Sequence, residues 1–253
     1  MTGLFDLSEQ VVVVAGGAGR IGPAVCEALG EHGATVVVAD IDAATGERVA
    51  DDAGGVFVDC DVTDDDDVTA LFTGVREEFG GVDASVHMAY PRDETYGTAF
   101  ERRDPDSWRA NVDAQLNSYA TLSREAIRAF DGDGALVNFG STYGVQAPDF
   151  RVYREADMPP SPAHYSASKA AIVNLTRYLA AKYAPGVRAN AVSPGGVFDD
   201  QDPAFVEAYE ANTPMGRMAE PDDVAGAVVY LLSDAASYVT GHNLAVDGGW
   251  TIH

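Results

Sequence analysis

Lysine is almost missing from this chain: of 253 residues, only Lys169 and Lys182 are lysines. Cysteine is as scarce, with Cys26 and Cys60 alone. Two thiols without metal-ligand spacing argue against a disulfide framework or a zinc site, and suit buried, inert sulfurs in a reducing compartment. No apolar run reaches the length of about 18 residues that a membrane-spanning helix needs. The opening MTGLFDLSEQ lacks a basic region followed by an apolar one, so no export signal is expected and a cytoplasmic location is. Linkers rich in Pro, Gly or Ser are also absent, as are internal repeats and low-complexity tails. A single domain over residues 1–253 is therefore expected.

Positive charge is the other shortage. Lys and Arg together number 16 against 40 Asp and Glu, a net charge of −24 at pH 7. Such a field repels phosphate backbones and anionic membranes, so neither nucleic acid nor membrane is expected as a partner. The acidity is either incidental or an adaptation to molar salt. The second reading is favoured, because self-repulsion of this size opposes a compact state unless dense counterions screen it. The run Asp64–Asp67 reads as a solvated helix start and not as a metal site, since consecutive carboxylates do not converge on one ion. None of the five histidines pairs at metal spacing; His87 and His164 read as pocket walls or satisfied core residues.

What is present is an alternation. Val11–Ala15, Thr35–Ala39, Gly55–Val58, Ala84–Met88, Ala135–Phe139 and Arg188–Ser193 read as short buried strands. Between them, Ile21–His32, Asp65–Phe79, Trp108–Phe130 and Ala163–Tyr183 follow helical period. Apolar strands separated by helices predict an α/β fold, a doubly wound parallel sheet of Rossmann type. The stretch from Gly144 to Pro162 holds Pro148, Pro159, Pro160 and Pro162, which predict an ordered loop rather than helix or strand.

Two motifs carry chemistry. The first is Ala15-Gly16-Gly17-Ala18-Gly19-Arg20-Ile21-Gly22, placed after a strand and opening a helix. Its glycines let backbone approach a pyrophosphate, and the helix start adds N–H groups and partial positive charge. Eighteen residues beyond Gly22, Asp40 closes the second strand. A carboxylate there accepts from both ribose hydroxyls and repels a 2′-phosphate, so NAD is expected over NADP. Two other readings stay open: Asp40 as a cap for a helix from Ala43, and Arg20 as the holder of a phosphate. The second motif is Tyr165-Ser-Ala-Ser-Lys169, a phenol and an ammonium at i and i+4 on one helix face. A cation near a phenol favours the phenolate, which suits proton exchange with an alcohol oxygen.

Taken together, the chain resembles a short-chain dehydrogenase/reductase of the compact branch, from Val11 to Gly249. The resemblance rests on the Gly16–Gly22 loop, Asp61-Val62-Thr63, Ser141, the Tyr165/Lys169 pair, Arg188-Ala-Asn190-Ala-Val-Ser-Pro194-Gly195 and Val246-Asp247-Gly248-Gly249. It implies that Tyr165 is the general acid/base, that Lys169 binds the nicotinamide ribose and lowers the Tyr165 pKa, and that Ser141 orients the substrate oxygen. It further implies cofactor contacts from Gly16, Arg20, Ile21, Gly22, Asp40, Asp61, Val62, Ala89, Pro194, Gly195 and Val197. The family's helix asparagine, part of a proton relay to Lys169, falls at Gln115. Ser141 could also be a strand-end cap.

The departures are Ala15 for a threonine, Arg20 for a glycine, Asp199 for a threonine, and His87-Met88-Ala89-Tyr90 for the family's Asn-Asn-Ala-Gly. The Gly16/Gly19/Gly22 spacing is similar to a longer, sugar-nucleotide-modifying branch, which the chain length and the Val246-Asp-Gly-Gly ending oppose. Ser141 and Tyr165 are 24 positions apart, about twice the family's spacing, so an insert of about 146–161 must loop out beside the site. Its Arg151, Tyr153 and Arg154 are candidate substrate contacts, because guanidinium groups suit phosphates, carboxylates and polyhydroxyls. The insert, Ala89-Tyr-Pro-Arg92 and the segment after Pro194 resemble a subgroup tied to cell-surface sugar biosynthesis.

The function expected is NAD-dependent hydride transfer at a hydroxyl or keto group of a polar, sugar-type substrate. The alternatives are a ketone or 3-oxoacyl reductase of the same family and a non-catalytic NAD-binding redox sensor. A homotetramer is expected, with a dimer as the second reading. If the charge is an adaptation, the melting temperature should climb between about 0.1 and about 3 M for both KCl and NaCl, because screening follows ionic strength. A flat or falling curve would make the acidity incidental.

Overall fold

The computed structural model describes residues 3–92, 94–156 and 158–252. The two ends of the expected domain and one position of the expected insert, Asp157, lie outside the described residues. In chain order the first half runs β1 (Val11–Ala15), α1 (Gly22–Glu31), β2 (Thr35–Asp40), α2 (Ala43–Asp52), β3 (Val56–Asp59), α3 (Asp65–Phe79) and β4 (Val82–His87). Then come α4 (Pro105–Val112), α5 (Ser118–Ala129), β5 (Phe130–Phe139), α6 (Phe150–Glu155) and α7 (Ala163–Tyr183). The chain ends with β6 (Val187–Pro194), α8 (Pro203–Ala211), α9 (Pro221–Leu232) and β7 (Asn243–Val246). All seven strands form one parallel sheet in the order β3-β2-β1-β4-β5-β6-β7. This is the doubly wound single-domain fold expected from the alternation of strands and helices.

Strand β1 shows why both faces must be covered. Its side chains alternate, so Val12 and Val14 pack with Val25 and Leu29 of α1, Val49 of α2 and Val228 of α9. Val13 and Ala15 face the other way, onto Val68, Leu71 and Phe72 of α3, Leu122 of α5 and Leu179 of α7. The order reverses between β1 and β4, so the loops after them splay apart and leave a crevice at the strands' carboxyl ends. The functional site occupies that crevice.

Helix starts follow their caps. Asp64 accepts from the amides of Asp66 and Asp67, with Asp65–Asp67 in the first turn, where the helix dipole favours negative charge. Asp42, not Asp40, caps α2, which removes the capping reading of Asp40. Cys26 and Cys60 are free and buried, and burial raises both thiols to about 12.

Three expectations change. The segment from Gly144 to Pro162 is not all loop, because α6 lies inside it. Asp149 caps this helix, none of the four prolines falls within it, and Val152 and Tyr153 bury against Phe205 and Tyr209 of α8. The helix expected over Trp108–Phe130 begins earlier, at Pro105 behind its cap Asp104. It is widened by a π turn over Asp113–Asn117, and Phe130 already belongs to β5. Strand β7 had no counterpart among the expected strands; four residues, Asn-Leu-Ala-Val, carry too little pattern to announce it.

Candidate active site

The phosphate loop is built by exclusion. Gly16 has φ +88°, and a Cβ there would lie 2.4 Å from the Ala89 amide nitrogen. A Cβ on Gly22 would lie 2.0 Å from the Gly17 carbonyl oxygen. These two positions admit glycine alone, which presses the β1–α1 turn onto the end of β4 and leaves room above it. Asp40 stands across that room. One carboxylate oxygen accepts from the Ala18 amide at 3.0 Å and the other from the Asp42 amide at 3.1 Å, so the acid is fixed at the crevice with lone pairs to spare. Arg20 reaches the opposite wall, donating to the Phe198 carbonyl at 2.8 Å and pairing with Asp199 at 3.4 Å. Its guanidinium is thereby drawn off toward the loop after β6.

A cleft of about 850 Å³ runs from Asp40 to Tyr165. The expected cofactor residues Gly16, Arg20, Ile21, Gly22, Asp40, Asp61, Val62, Ala89, Tyr165, Lys169, Pro194, Gly195 and Val197 all line it. Asp61 holds Thr63 in a turn through its carboxylate, which keeps Val62 buried at the cleft wall. The cradle at Gly16 and Gly22, the acid facing it and the long cleft fit a dinucleotide.

At the far end three side chains meet. Ser141 follows β5, and its hydroxyl accepts from the Tyr143 amide at 3.2 Å and lies close enough to the Tyr165 phenol to influence it. Ser141 thus caps the turn after β5 and also lines the cleft. Tyr165 and Lys169 share a face of α7, with the ammonium 5.8 Å from the phenol ring centre. Burial raises the Tyr165 pKa, and the Ser141 hydrogen bond is the opposing influence. The expected lowering by Lys169 is absent: beside burial and Ser141, the remaining influence is the Tyr153 phenol, which also raises the value. Lys169 itself is lowered to about 7 by burial. Its ammonium donates to the Phe139 carbonyl at 2.7 Å and to the Tyr119 hydroxyl at 3.3 Å.

Gln115 does not reach this lysine. It sits buried in the π turn, where its side-chain amide donates to the Pro91 carbonyl at 3.3 Å. Its Oε1 is buried without a partner. Tyr119, one turn further along, takes the place beside Lys169 and passes its own hydrogen to the Ala89 carbonyl at 3.2 Å. The spacing of four from Gln115 was the available signal for Tyr119, hidden because the π turn shifts which side chains face α7.

The insert contributes differently than its charges suggest. Tyr153 lines the cleft and shares a hydrogen bond of 2.8 Å with the Tyr143 hydroxyl. Arg151 is clamped to Asp149 at 2.6 Å and largely exposed, and neither it nor Arg154 lines the cleft. A carboxylate two residues away holds the Arg151 guanidinium, and Arg154 lies outside the cleft lining, so neither arginine stands where a substrate contact was expected. The walls are instead aromatic: Tyr90, Tyr96, Tyr143, Tyr153, Phe205 and Tyr209. Trp250 stacks on Tyr209 with ring centres 4.0 Å apart and fixes that wall. His87 is no wall at all; it bonds Ser85 at 2.8 Å and Asn138 at 2.9 Å, and burial drops it to about 3, keeping it neutral. Among the described residues no three His, Cys, Asp or Glu side chains gather as a metal site, and no helix is long and apolar enough to cross a membrane.

A family model described as enoyl-(acyl carrier protein) reductase matches residues 16–251. The cis-4-hydroxycyclohexanecarboxylate dehydrogenase of Sinomonas cyclohexanicum is 38% identical over 260 residues, covering 96% of this chain and 97% of the relative. A short-chain dehydrogenase from Leptospira borgpetersenii, solved with bound NAD+, superposes with TM-score 0.84 at 32% identity, covering 97% of this chain and 94% of that one. A gluconate 5-dehydrogenase from Burkholderia cenocepacia, solved with NADP and tartrate, gives 0.87 at 26% identity, covering 99% and 98%. Matched along nearly its whole length, and carrying a glycine cradle, an Asp40 opposite it and Ser141, Tyr165 and Lys169 at one end of one cleft, the chain belongs to the short-chain dehydrogenase/reductase family.

Proposed function

We propose that this enzyme is an NAD-dependent dehydrogenase that oxidises a secondary hydroxyl, or reduces the matching ketone, on a compact substrate with a ring-like apolar body. The observation that carries the reading is the meeting of the Ser141 hydroxyl and the Tyr165 phenol at a cleft end walled by aromatic side chains. A nicotinamide bound in the cleft supplies the hydride acceptor or donor. Ser141 hydrogen-bonds the substrate oxygen and holds it beside Tyr165. In the oxidising direction Tyr165 must first release its own proton to solvent, and its phenolate oxygen then takes the alcohol proton; in the reducing direction the protonated phenol gives its proton to the carbonyl oxygen as the hydride arrives. A raised Tyr165 pKa keeps the phenol protonated at neutral pH, so the reducing direction starts from the form the structure favours. Lys169 holds positive charge under the phenol when protonated and reaches toward the ribose end of the cleft. Gln115 is a positioning residue that ties the π turn to Pro91.

NAD is favoured over NADP because Asp40 is fixed across from the glycine cradle while Arg20 is engaged on the other wall. A 2′-phosphate at Asp40 would meet a carboxylate without a free guanidinium to balance it. Polyols and sugars, the substrates expected from the sequence, fit as well, since most of the wall rings are tyrosines whose hydroxyls can bond a polyhydroxylated substrate, and one of the similar solved structures is a gluconate 5-dehydrogenase. A salt-adapted cytoplasmic protein and a homotetramer remain the readings of its charge and of its family resemblance.

Two variants test this. Tyr165→Phe keeps the ring and removes the proton, so kcat should fall by about 10²–10⁴ while NAD affinity stays near that of the parent. Near-parental turnover would overturn the mechanism. Asp40→Ala should narrow the preference for NAD mainly by improving kcat/KM with NADP. A parent enzyme that already prefers NADP would show that Asp40 does not govern the choice.

A further inference from the structure

Three cations line the cleft among its described residues: Arg20, Arg92 and Lys169. Two are committed. Arg20 is tied to Phe198 and Asp199, and Lys169 to Phe139 and Tyr119. Arg92 is the exception. Its guanidinium lies over the Tyr90 ring at 5.2 Å and beside the Tyr96 ring at 5.9 Å, and among the described residues it has no carboxylate partner. Forty acids compete for few cations in this chain, and Arg48, Arg109, Arg124, Arg128, Arg151 and Arg217 each pair with one. An arginine held on aromatic faces at the cleft mouth, clear of every described carboxylate, is available to an anion that comes from outside.

Its position fixes what that anion belongs to. The Tyr90 ring neighbours both groups, 5.1 Å from the Tyr165 ring and 5.2 Å from the Arg92 guanidinium. A hydroxyl at Ser141 and Tyr165 and an anion at Arg92 would thus share one cleft, with the Tyr90 ring beside both, which suits a small substrate that carries the two groups on one compact body. The acids lining the cleft, Asp40, Asp61 and Asp199, lie among the residues expected to hold the dinucleotide or in the loop after Val197, so none of them is expected to oppose an anion at Arg92. A single guanidinium without a second cation beside it matches a monoanion better than a phosphate. A molecule of net charge −24 also repels anions at long range, so an anionic substrate needs a local cation to be held at all.

We propose that Arg92 is the anchor for a substrate carboxylate, and that the enzyme acts on alicyclic hydroxy acids whose carboxylate and carbinol carbon lie across one ring. This rests on the dehydrogenase reading above and adds the charged end of the substrate. The test compares 4-hydroxycyclohexanecarboxylate, as both isomers, with its methyl ester, at one fixed salt concentration and saturating NAD. The parent enzyme should favour the acid over the ester by about tenfold or more in kcat/KM, a difference of about 1.4 kcal/mol. Arg92→Ala should reduce that ratio at least tenfold, through KM rather than kcat, and Arg92→Lys should restore part of it. An acid-to-ester ratio near one in the parent, or one unchanged in Arg92→Ala, would overturn the proposal while leaving the dehydrogenase reading intact.

A readout without turnover separates the two failures. Cyclohexanecarboxylate should bind the NAD-loaded parent in a calorimeter and bind Arg92→Ala at least tenfold more weakly, with the melting temperatures of the two proteins equal. Equal binding by both would overturn the anchor. Binding lost in Arg92→Ala, together with no NADH from any secondary alcohol, would support the anchor and overturn the dehydrogenase reading instead.

Discussion

The Lys169 ammonium has left water and found no carboxylate in exchange. Its hydrogens go to the Phe139 carbonyl and the Tyr119 hydroxyl, both neutral, and desolvation brings its pKa to about 7. That arrangement ties the site together. Phe139 is the last residue of β5, Tyr119 comes from α5, and Tyr119 in turn holds the Ala89 carbonyl just past β4. Four elements therefore share one buried cation, and Tyr165 stands four residues before it on the fourth. The arrangement has a cost for stability with a definite sign. Between about 7 and the ordinary lysine value of 10.5, the unfolded chain holds a proton that the folded chain has released. Lys169 therefore opposes folding most fully below about 7, and this opposition fades as pH rises through that window.

Charge is distributed in this molecule by contrast with its surface. Carboxylates dominate outside, where water and counterions solvate them, and several of the few cations hold structural positions. Arg20 bridges the β1–α1 loop and the loop after β6 across the crevice. Arg188 closes the C-terminal end of α9 by donating to the carbonyls of Leu231 and Leu232. Arg151 and Arg217 serve as partners for nearby acids. An acidic protein can afford few unpaired arginines, which gives weight to where Arg92 is found.

The sheet was legible because period and burial coincide: Val11–Ala15 alternates its side chains between two helical layers, and both are apolar. The helices α3 and α7 matched their expected bounds because Asp64 caps one, and proline precedes the other. The Gly16/Gly22 turn and the Tyr165/Lys169 spacing are local patterns, so sequence shows them directly. What stayed hidden depends on contacts between distant segments. Helix α6 needed Phe205 and Tyr209 to bury Val152 and Tyr153, and four nearby prolines argued the other way. The π turn at Gln115 leaves no composition signal, so Tyr119 was invisible as the lysine's partner. Arginine count alone suggested Arg151 and Arg154, whereas Asp149 neutralises the first and geometry keeps both off the cleft.

Lys169 is a desolvated cation without a carboxylate partner, and the composition offers a direct way to measure it. With only Lys169 and Lys182 in the chain, protein labelled with 13C at lysine Cε gives two signals to follow by NMR from about pH 5 to about pH 11. One signal should titrate near 7 and be the one lost in Lys169→Met, and the Lys182 signal should titrate above the ordinary lysine value, raised by Tyr178 and Tyr183. Two signals both titrating near 10.5 or higher would contradict it, since Lys169 would then keep its full charge in the folded protein.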